Sequence, residues 1–371
     1  MSTQLRGVLA TQRVLEGIGV GRTGATATSA VLNFLVRDGS GMVANLAFTA
    51  AFASKFQTDI KRWRLFADIM VNLGITLEVA AVQFPSYCFL PMICLGNMCK
   101  AVCGVAAGAC GGAIHLHWAQ GSDIADVAAK SGAQHTETAS LGLIFAAFFA
   151  RSVSTVSLKG LWVLYSFLTV IHLYANTQCM RLMVFSHLNA VRLQMVLHDF
   201  WEKRGADQQN ATGAADSALL TPKQVARKES LLFWPPPRCA RQRSIVFGVS
   251  FADWVKRHGW YDDAMLKDKL SSQEPQPYWI LADTHRFGKP QIAVFLKHGI
   301  SQSDQAKAYF HADLLSRRLT GETVADLSQI ETEVTTQVNL SWDLFVSESA
   351  KAGWNLSRTE LASVGFELRV E

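Results

Sequence analysis

A chain of 371 residues is too long for one small domain, and size alone predicts two packed units. Charge divides it the same way: residues 1–205 carry 16 Lys/Arg against 10 Asp/Glu, net +6, and residues 206–371 carry 19 against 20, net −1, giving the +5 of the whole. The excess cations flank hydrophobic segments rather than forming a solvated patch on a polar domain, which argues against a nucleic-acid partner and for positively charged loops beside a membrane.

In chain order, residues 1–37 hold Arg6, Arg13, Arg22 and Arg37 with Glu16 as the only acid. Transit peptides share that composition, as do amphipathic helices lying beside a membrane. Hydropathy is the dominant signal in this half of the chain. The clearest segments of near-bilayer length are 138–156 and 158–175, whose runs LGLIFAAFFA and LWVLYSFLTVIHLYA carry no internal charge. Segment 86–114 is long and apolar but contains Lys100, segment 65–84 contains Asp68, Asn72 and Glu78, and segment 17–36 is weak and rich in small residues. Residues 42–53 are too short to span and are expected to be re-entrant, interfacial or packed on the other helices. If the chain beyond Ala175 lies inside, marked by Arg181, Arg192, Lys203 and Arg204, five spans also put 37–64 inside, where Arg37, Lys55, Lys61, Arg62 and Arg64 collect. The competing reading is a soluble helical core apolar all round.

After Trp201 the stretch GADQQNATGAADSALLTPK is polar and small-residue-rich, a linker not expected to pack, and FWPPPR then stops regular structure. Beyond it, PYWILADTH and KPQIAVFLKHG flank a Gly-containing turn as a hairpin, residues 303–318 and 327–352 show helical spacing, and residues 364–370 suit a final strand. The predicted fold class is therefore mainly α: a polytopic helical membrane bundle over residues 1–205, a linker over 206–240 and a small α+β C-terminal domain over 241–371.

Few motifs carry chemistry. Six of the seven cysteines lie in apolar sequence, where a free thiol behaves as a small hydrophobe, and no tight metal-ligand spacing accompanies Cys99 and Cys103. Gly19, Gly21 and Gly24 match a dinucleotide-loop spacing, but the preceding TQRVLEGI reads as helix where that loop needs a strand. Gly96, Lys100, Gly104, Gly108 and Gly112 recur every four residues, one stripe of a helix that suits close helix packing. Lys100 within that stripe needs a partner, with Asn97, Asp68 and Glu78 as candidates, and is a candidate for holding an anion or an aldehyde. In SDIADVAAKSGAQHTET, Asp126 and Lys130 pair on a helix or else, with Gln134, line a site. No catalytic constellation appears, so no enzyme is predicted.

The strings LATQRVLEGIGVG, VRDGSGM, KRWRLFADI, NMCKAVCGVAAGA and IADVAAKSGAQHT, followed by Tyr174, Ala175 and Asn176, resemble the successive motifs of the root UVB sensitive family over residues 9–205. Gly132, Ala133, Gln134, His135 and Thr136 stand where that pattern reads GSQET, so His135 replaces a glutamate, and Ser131 stands where an acid is common. The resemblance extends over the start of the chain, which is therefore not expected to be a removable leader, and it implies a longer N-terminus. It further implies roles in early-seedling development, UVB response, auxin transport and vitamin B6 homeostasis at plastid or other organelle membranes. The expected protein is an integral membrane, non-enzymatic binder, carrier or regulator of a small metabolite, with pyridoxal phosphate or another B6 vitamer as the ligand and Asp68, Lys100, Asp126, Lys130 and Gln134 as site residues. The alternative is a scaffold assembling with a homologous partner or with itself through Gly96, Gly104, Gly108 and Gly112.

Overall fold

The computed structural model describes residues 2–19, 27–119, 123–153, 157–209, 218–232, 244–247, 250–257, 270–271, 273, 275–283, 291–319, 327–361 and 367–368. They form two compact units, Met1–Arg181 and Leu182–Glu371.

The first unit consists of helices α1 (Ser2–Ile18), α2 (Ala27–Phe52), α3 (Ile60–Ala80), α4 (Ser86–Trp118), α5 (Ile124–Val153) and α6 (Leu158–Leu182). Ile60, Leu65, Asp68, Asn72, Ile75 and Val79 of α3 are all buried, a stripe at helical spacing that faces its neighbours. α3 packs chiefly on α4, and α2 packs on α4 as well. Leu9, Ala10, Ile75, Val79, Leu161 and Tyr165 join α1, α3 and α6 in one apolar cluster. Phe48, Phe52, Phe56, Trp63 and Phe66 pack ring on ring at the corner between α2 and α3, where the Trp63 indole N–H donates to the Lys55 carbonyl at 3.0 Å.

Three helical stretches among the described residues are long and apolar enough to cross a membrane: Ile60–Gln83, Ser86–Trp118 and Leu158–Leu182. The remaining expectations change. Segment 17–36 is not one span, because α1 stops at Ile18, Gly19 takes φ +92°, and α2 starts at Ala27. Residues 42–52 are not a short separate element but the second half of the continuous helix α2. Segment 138–156 shares helix α5 with the polar stretch before it, and its residues 154–156 lie outside the described residues. Many apolar side chains of α2, α5 and α6 face outward, among them Leu46, Phe148 and Val163, each more than 70% exposed.

The second unit contains β1 (His187–Asn189), α7 (Ala190–Gln209), α8 (Pro222–Lys228), β2 (Ser244–Phe247), α9 (Phe251–Arg257), β3 (Tyr278–Asp283), β4 (Gln291–Lys297), α10 (Gln302–Leu319), α11 (Leu327–Ala352), β5 (Asn355–Glu360) and β6 (Glu367–Leu368). The expected hairpin is present: β3 and β4 pair antiparallel with Ile280 opposite Val294, while β2 and β6 lie parallel to β4 along different stretches. Both faces of this sheet are covered, which is why its strands read as continuous apolar runs. Ile280, Ile292, Val294 and Leu296 join the main core, and Leu281, Ala293 and Phe295 pack with Trp254 of α9. From Tyr309 to Ser316 every residue of α10 is buried, as a helix wrapped by other elements requires. Its Phe310 meets Phe200 of α7 and Phe345 of α11 at ring distances of 5.9 and 5.2 Å.

Two boundaries differ from the sequence expectation. Leu193, Val196, Leu197 and Phe200 of α7 belong to the second unit's core, so the compact units divide at Arg181/Leu182 rather than near residue 205. Part of the expected linker also packs: Leu219 and Val225 are buried, and Thr221 caps α8 in a reciprocal box with Gln224. A buried clasp ties these pieces together, with Arg192 Nε 3.2 Å from Glu229, Arg192 Nη1 donating to the His187 carbonyl, and His187 Nε2 3.3 Å from Glu360. Burial pushes the Glu360 carboxyl up, but the His187 hydrogen bond and charge, with Arg358 and Arg192, outweigh it and hold the group below the usual carboxylate range.

Candidate functional site

The site begins with two glycines. A Cβ added to Gly74 would stand 2.5 Å from the Gly96 carbonyl oxygen, and one added to Gly96 would stand 2.8 Å from that of Gly74. Only hydrogen fits between these backbones, so α3 and α4 cross in close contact and carry Glu78 and Lys100 to the same place. Glu78 is almost fully buried, and its Oε1 accepts from Lys100 Nζ at 2.5 Å and from Arg37 Nη2 at 3.2 Å. α2 supplies Arg37 and is pinned there by its backbone. The Arg37 carbonyl accepts from the Asn97 side chain at 2.9 Å and from Ser40 Oγ at 2.6 Å. A Cβ on Gly41 would come within 2.5 Å of Asn97 Nδ2, so glycine is what lets that amide approach α2.

Beside this triad lies an open cleft of about 620 Å³ between α2 and α4, lined by Asp38, Met42, Asn45, Asn97, Lys100 and Ala101 among others. Lys100 is about a quarter exposed and half-facing the cleft while its charge is met by Glu78. Asp38, Met42 and Asn45 fall on one face of α2 at helical spacing, a signal present in the sequence that was missed.

The other expected site residues lie elsewhere. Asp68 belongs to a buried polar cluster between α1, α3 and α6, where its Oδ1 accepts from Arg64 Nη1 at 2.7 Å and lies 3.8 Å from His172 Nε2. In the same cluster the Tyr165 hydroxyl donates to the Asn72 carbonyl at 3.1 Å and meets Thr76 at 2.7 Å, and Arg6 donates to Thr169. Asp126 and Lys130 form an exposed pair on α5 at 2.8 Å, and Gln134 is exposed one turn further on. They are on a helix, not a loop, and do not line the cleft. Within the glycine stripe, Gly96 packs against α3, whereas a Cβ at Gly104, Gly108 or Gly112 would meet nothing within 4 Å. Gly21 and Gly24 lie outside the described residues, and the element before them is helix α1, not a strand. Among the described residues no group of three or more His, Cys, Asp and Glu side chains is placed to hold a metal ion.

Residues 1–204 match the family described as Vitamin B6 photo-protection and homoeostasis domain, and residues 218–364 match Root UVB sensitive protein, C-terminal. The chain belongs to the root UVB sensitive family. It is 28% identical to Protein root UVB sensitive 3 of Arabidopsis thaliana over 361 residues, covering 96% of this chain and 77% of that one. It is 30% identical to RUS family member 1 of Dictyostelium discoideum over 276 residues, 73% of this chain but only 49% of the relative's length. Protein root UVB sensitive 2, chloroplastic, of Arabidopsis thaliana is 31% identical over 193 residues, 52% of this chain and 43% of that one. No solved structure matches the chain. Both parts of the root UVB sensitive architecture are thus represented, and the Lys100 cleft falls in the part described by vitamin B6 homoeostasis.

Proposed function

We propose that the first unit sits in a lipid bilayer, in an organelle membrane, and binds a vitamin B6 form in the Lys100 cleft as a non-enzymatic carrier or regulator. The observation that carries this reading is a lysine amine opening on a cleft of about 620 Å³ with a buried carboxylate against it. Burial of a charge is costly unless it is paired, so the pairing with Glu78 lets a lysine stand among apolar helices. When an aldehyde approaches, Glu78 takes the ammonium proton, the amine adds to the carbonyl carbon, and water leaves, a reversible capture that consumes no co-reactant. The lining fits the ring and aldehyde of a vitamer better than its phosphate ester: Asn45 and Asn97 offer neutral partners, Asp38 repels an anion, and Arg37 does not belong to the lining. The three apolar helical stretches and the outward apolar faces of α2, α5 and α6 support the bilayer setting.

The test is borohydride trapping of pyridoxal and of pyridoxal phosphate on the full chain in detergent, read by mass spectrometry of the Lys100 peptide. Preferential, saturable labelling of Lys100 by pyridoxal, lost in Lys100→Arg with other lysines unchanged, is the expected result. Labelling of Lys100 no greater than that of the exposed Lys130 overturns it. Release of the chain by alkaline carbonate, monomeric and without detergent, overturns the bilayer setting.

A second reading is favoured by the unfilled face at Gly104, Gly108 and Gly112, which suits a helix of a homologous partner or a second copy in a scaffold. Cross-linking that is unchanged by Gly104→Leu with Gly108→Leu removes that reading.

A further inference from the structure

The second unit holds a pocket of a different character. Between α7, α10 and α11 lies a cavity of about 320 Å³ lined by Trp201, Arg204, Leu314, Arg317, Arg318, Gln337 and Ser341. Three guanidinium groups share this lining, and among the described residues no carboxylate belongs to it. The two carboxylates nearby serve to orient the arginines. Asp313, fully buried on α10, accepts from Arg317 Nε at 2.9 Å and so fixes the plane of that guanidinium from behind. Glu348 stands 3.5 Å from Arg204 Nη2, and the Arg204 guanidinium also lies over the Phe200 ring at 4.3 Å. Arg318 rests against a neutral group, donating to Gln337 at 3.1 Å.

The Trp201 indole N–H is buried and has no hydrogen-bond partner among the described residues. A buried donor left unmade costs free energy, and an acceptor bound beside it would recover that cost. The lining therefore offers donors from three arginines, an indole and a serine hydroxyl, with Leu314 and the Trp201 ring as an apolar wall. Planar guanidinium forks match the terminal oxygens of a phosphate two at a time, and three arginines against the carboxylates of Asp313 and Glu348 leave a net positive charge for an anion to meet. The volume is at the lower end of small-ligand pockets, which suits a compact ester rather than a nucleotide.

We propose that this pocket is a binding site for a phosphate monoester, with Arg204, Arg317 and Arg318 holding the phosphate and Trp201 and Leu314 packing against what it esterifies. It stands apart from the Lys100 reading and does not depend on it. The phosphate is carried by a soluble metabolite or by a lipid headgroup, and the experiment separates the two.

Full-length protein in detergent is titrated calorimetrically with glycerol 3-phosphate and with glycerol, and the glycerol 3-phosphate titration is repeated with short-chain soluble phosphatidate or phosphatidylcholine as competitor. Saturable binding of glycerol 3-phosphate but not glycerol is expected. Arg318→Gln is expected to weaken it roughly 10-fold or more, as loss of a charge-assisted bond does. Arg318 is exposed and its neutral replacement leaves the core intact; a near-ultraviolet dichroism spectrum identical to wild type documents that. Arg204→Gln provides an independent second variant. Short-chain phosphatidate that competes at concentrations well below those of glycerol 3-phosphate, with no competition by phosphatidylcholine, assigns the lipid source, and phosphatidate that competes no better than glycerol 3-phosphate assigns the soluble one. No saturable binding of either probe by the wild type, or wild-type affinity in both arginine variants, overturns the proposal.

Discussion

Replacing Gly74 by alanine tests whether the close crossing of α3 and α4 positions the Lys100 cleft. The new Cβ would lie 2.5 Å from the Gly96 carbonyl oxygen and 2.9 Å from Lys100 Cγ. The first contact is backbone, which cannot swing aside, so reaching an ordinary 3.4 Å separation moves the helices apart by about 0.9 Å. Overpacking of this kind costs about 1–3 kcal/mol, against which alanine recovers up to about 1 kcal/mol of helix propensity. Gly74→Ala is therefore expected to destabilise the chain by about 1–2 kcal/mol and to weaken the contact of Lys100 with Glu78. Gly104→Ala, with nothing within 4 Å of its Cβ, keeps the propensity gain alone and is expected to stabilise by up to about 1 kcal/mol. Chemical unfolding in one detergent, followed by tryptophan fluorescence, measures both. Equal stability for the two variants, or a gain for Gly74→Ala, would refute the argument that this crossing needs bare glycine.

Arg192→Ala removes a cationic partner of the buried Glu229 carboxylate and one bond to the His187 carbonyl, and should cost the second unit about 3–5 kcal/mol, read as a shift in its urea midpoint. His311 is buried against Tyr278, and burial first, then Lys307, lowers its pKa to about 4. The unfolded chain, with a histidine near 6.5, binds the proton that the native state refuses, so stability is expected to fall between pH 6.5 and 4 by about 3 kcal/mol. A His311→Gln variant should show a flatter dependence over that window, and an identical slope would remove the assignment. Thr221→Ala breaks the reciprocal cap with Gln224 and should cost about 1 kcal/mol, with faster amide exchange confined first to α8.

Much of the second unit was legible because periodicity reports burial directly. The hairpin of β3 and β4 and the helices α10 and α11 follow from apolar runs and three- or four-residue spacing; the structure places both helices within a residue of the expected bounds and trims up to two residues from the ends of the expected strands. The short α8 was hidden in a polar stretch because a single turn's worth of helix has no period to read, and its Thr221 and Gln224 cap was the only local signal. In the first unit, composition identified helices 65–84, 86–114 and 158–175 but not their limits. A small-residue segment at 17–36 carries no information about where Gly19 turns the chain.

What the amino-acid order determined alone was therefore the class of each part: apolar helices first, an ordinary α+β core after, and a lysine in a glycine stripe that had to find a partner. Tertiary structure decided which of Asn97, Asp68 and Glu78 that partner is, separated Asp68, Lys100 and Asp126 into three places, and brought Arg204 of α7 beside Arg317 and Arg318 of α10. The reason is physical: helical spacing tells which residues share one face, but which face meets which is settled by packing between elements distant in the chain, here by two glycines whose missing side chains admit a neighbouring backbone.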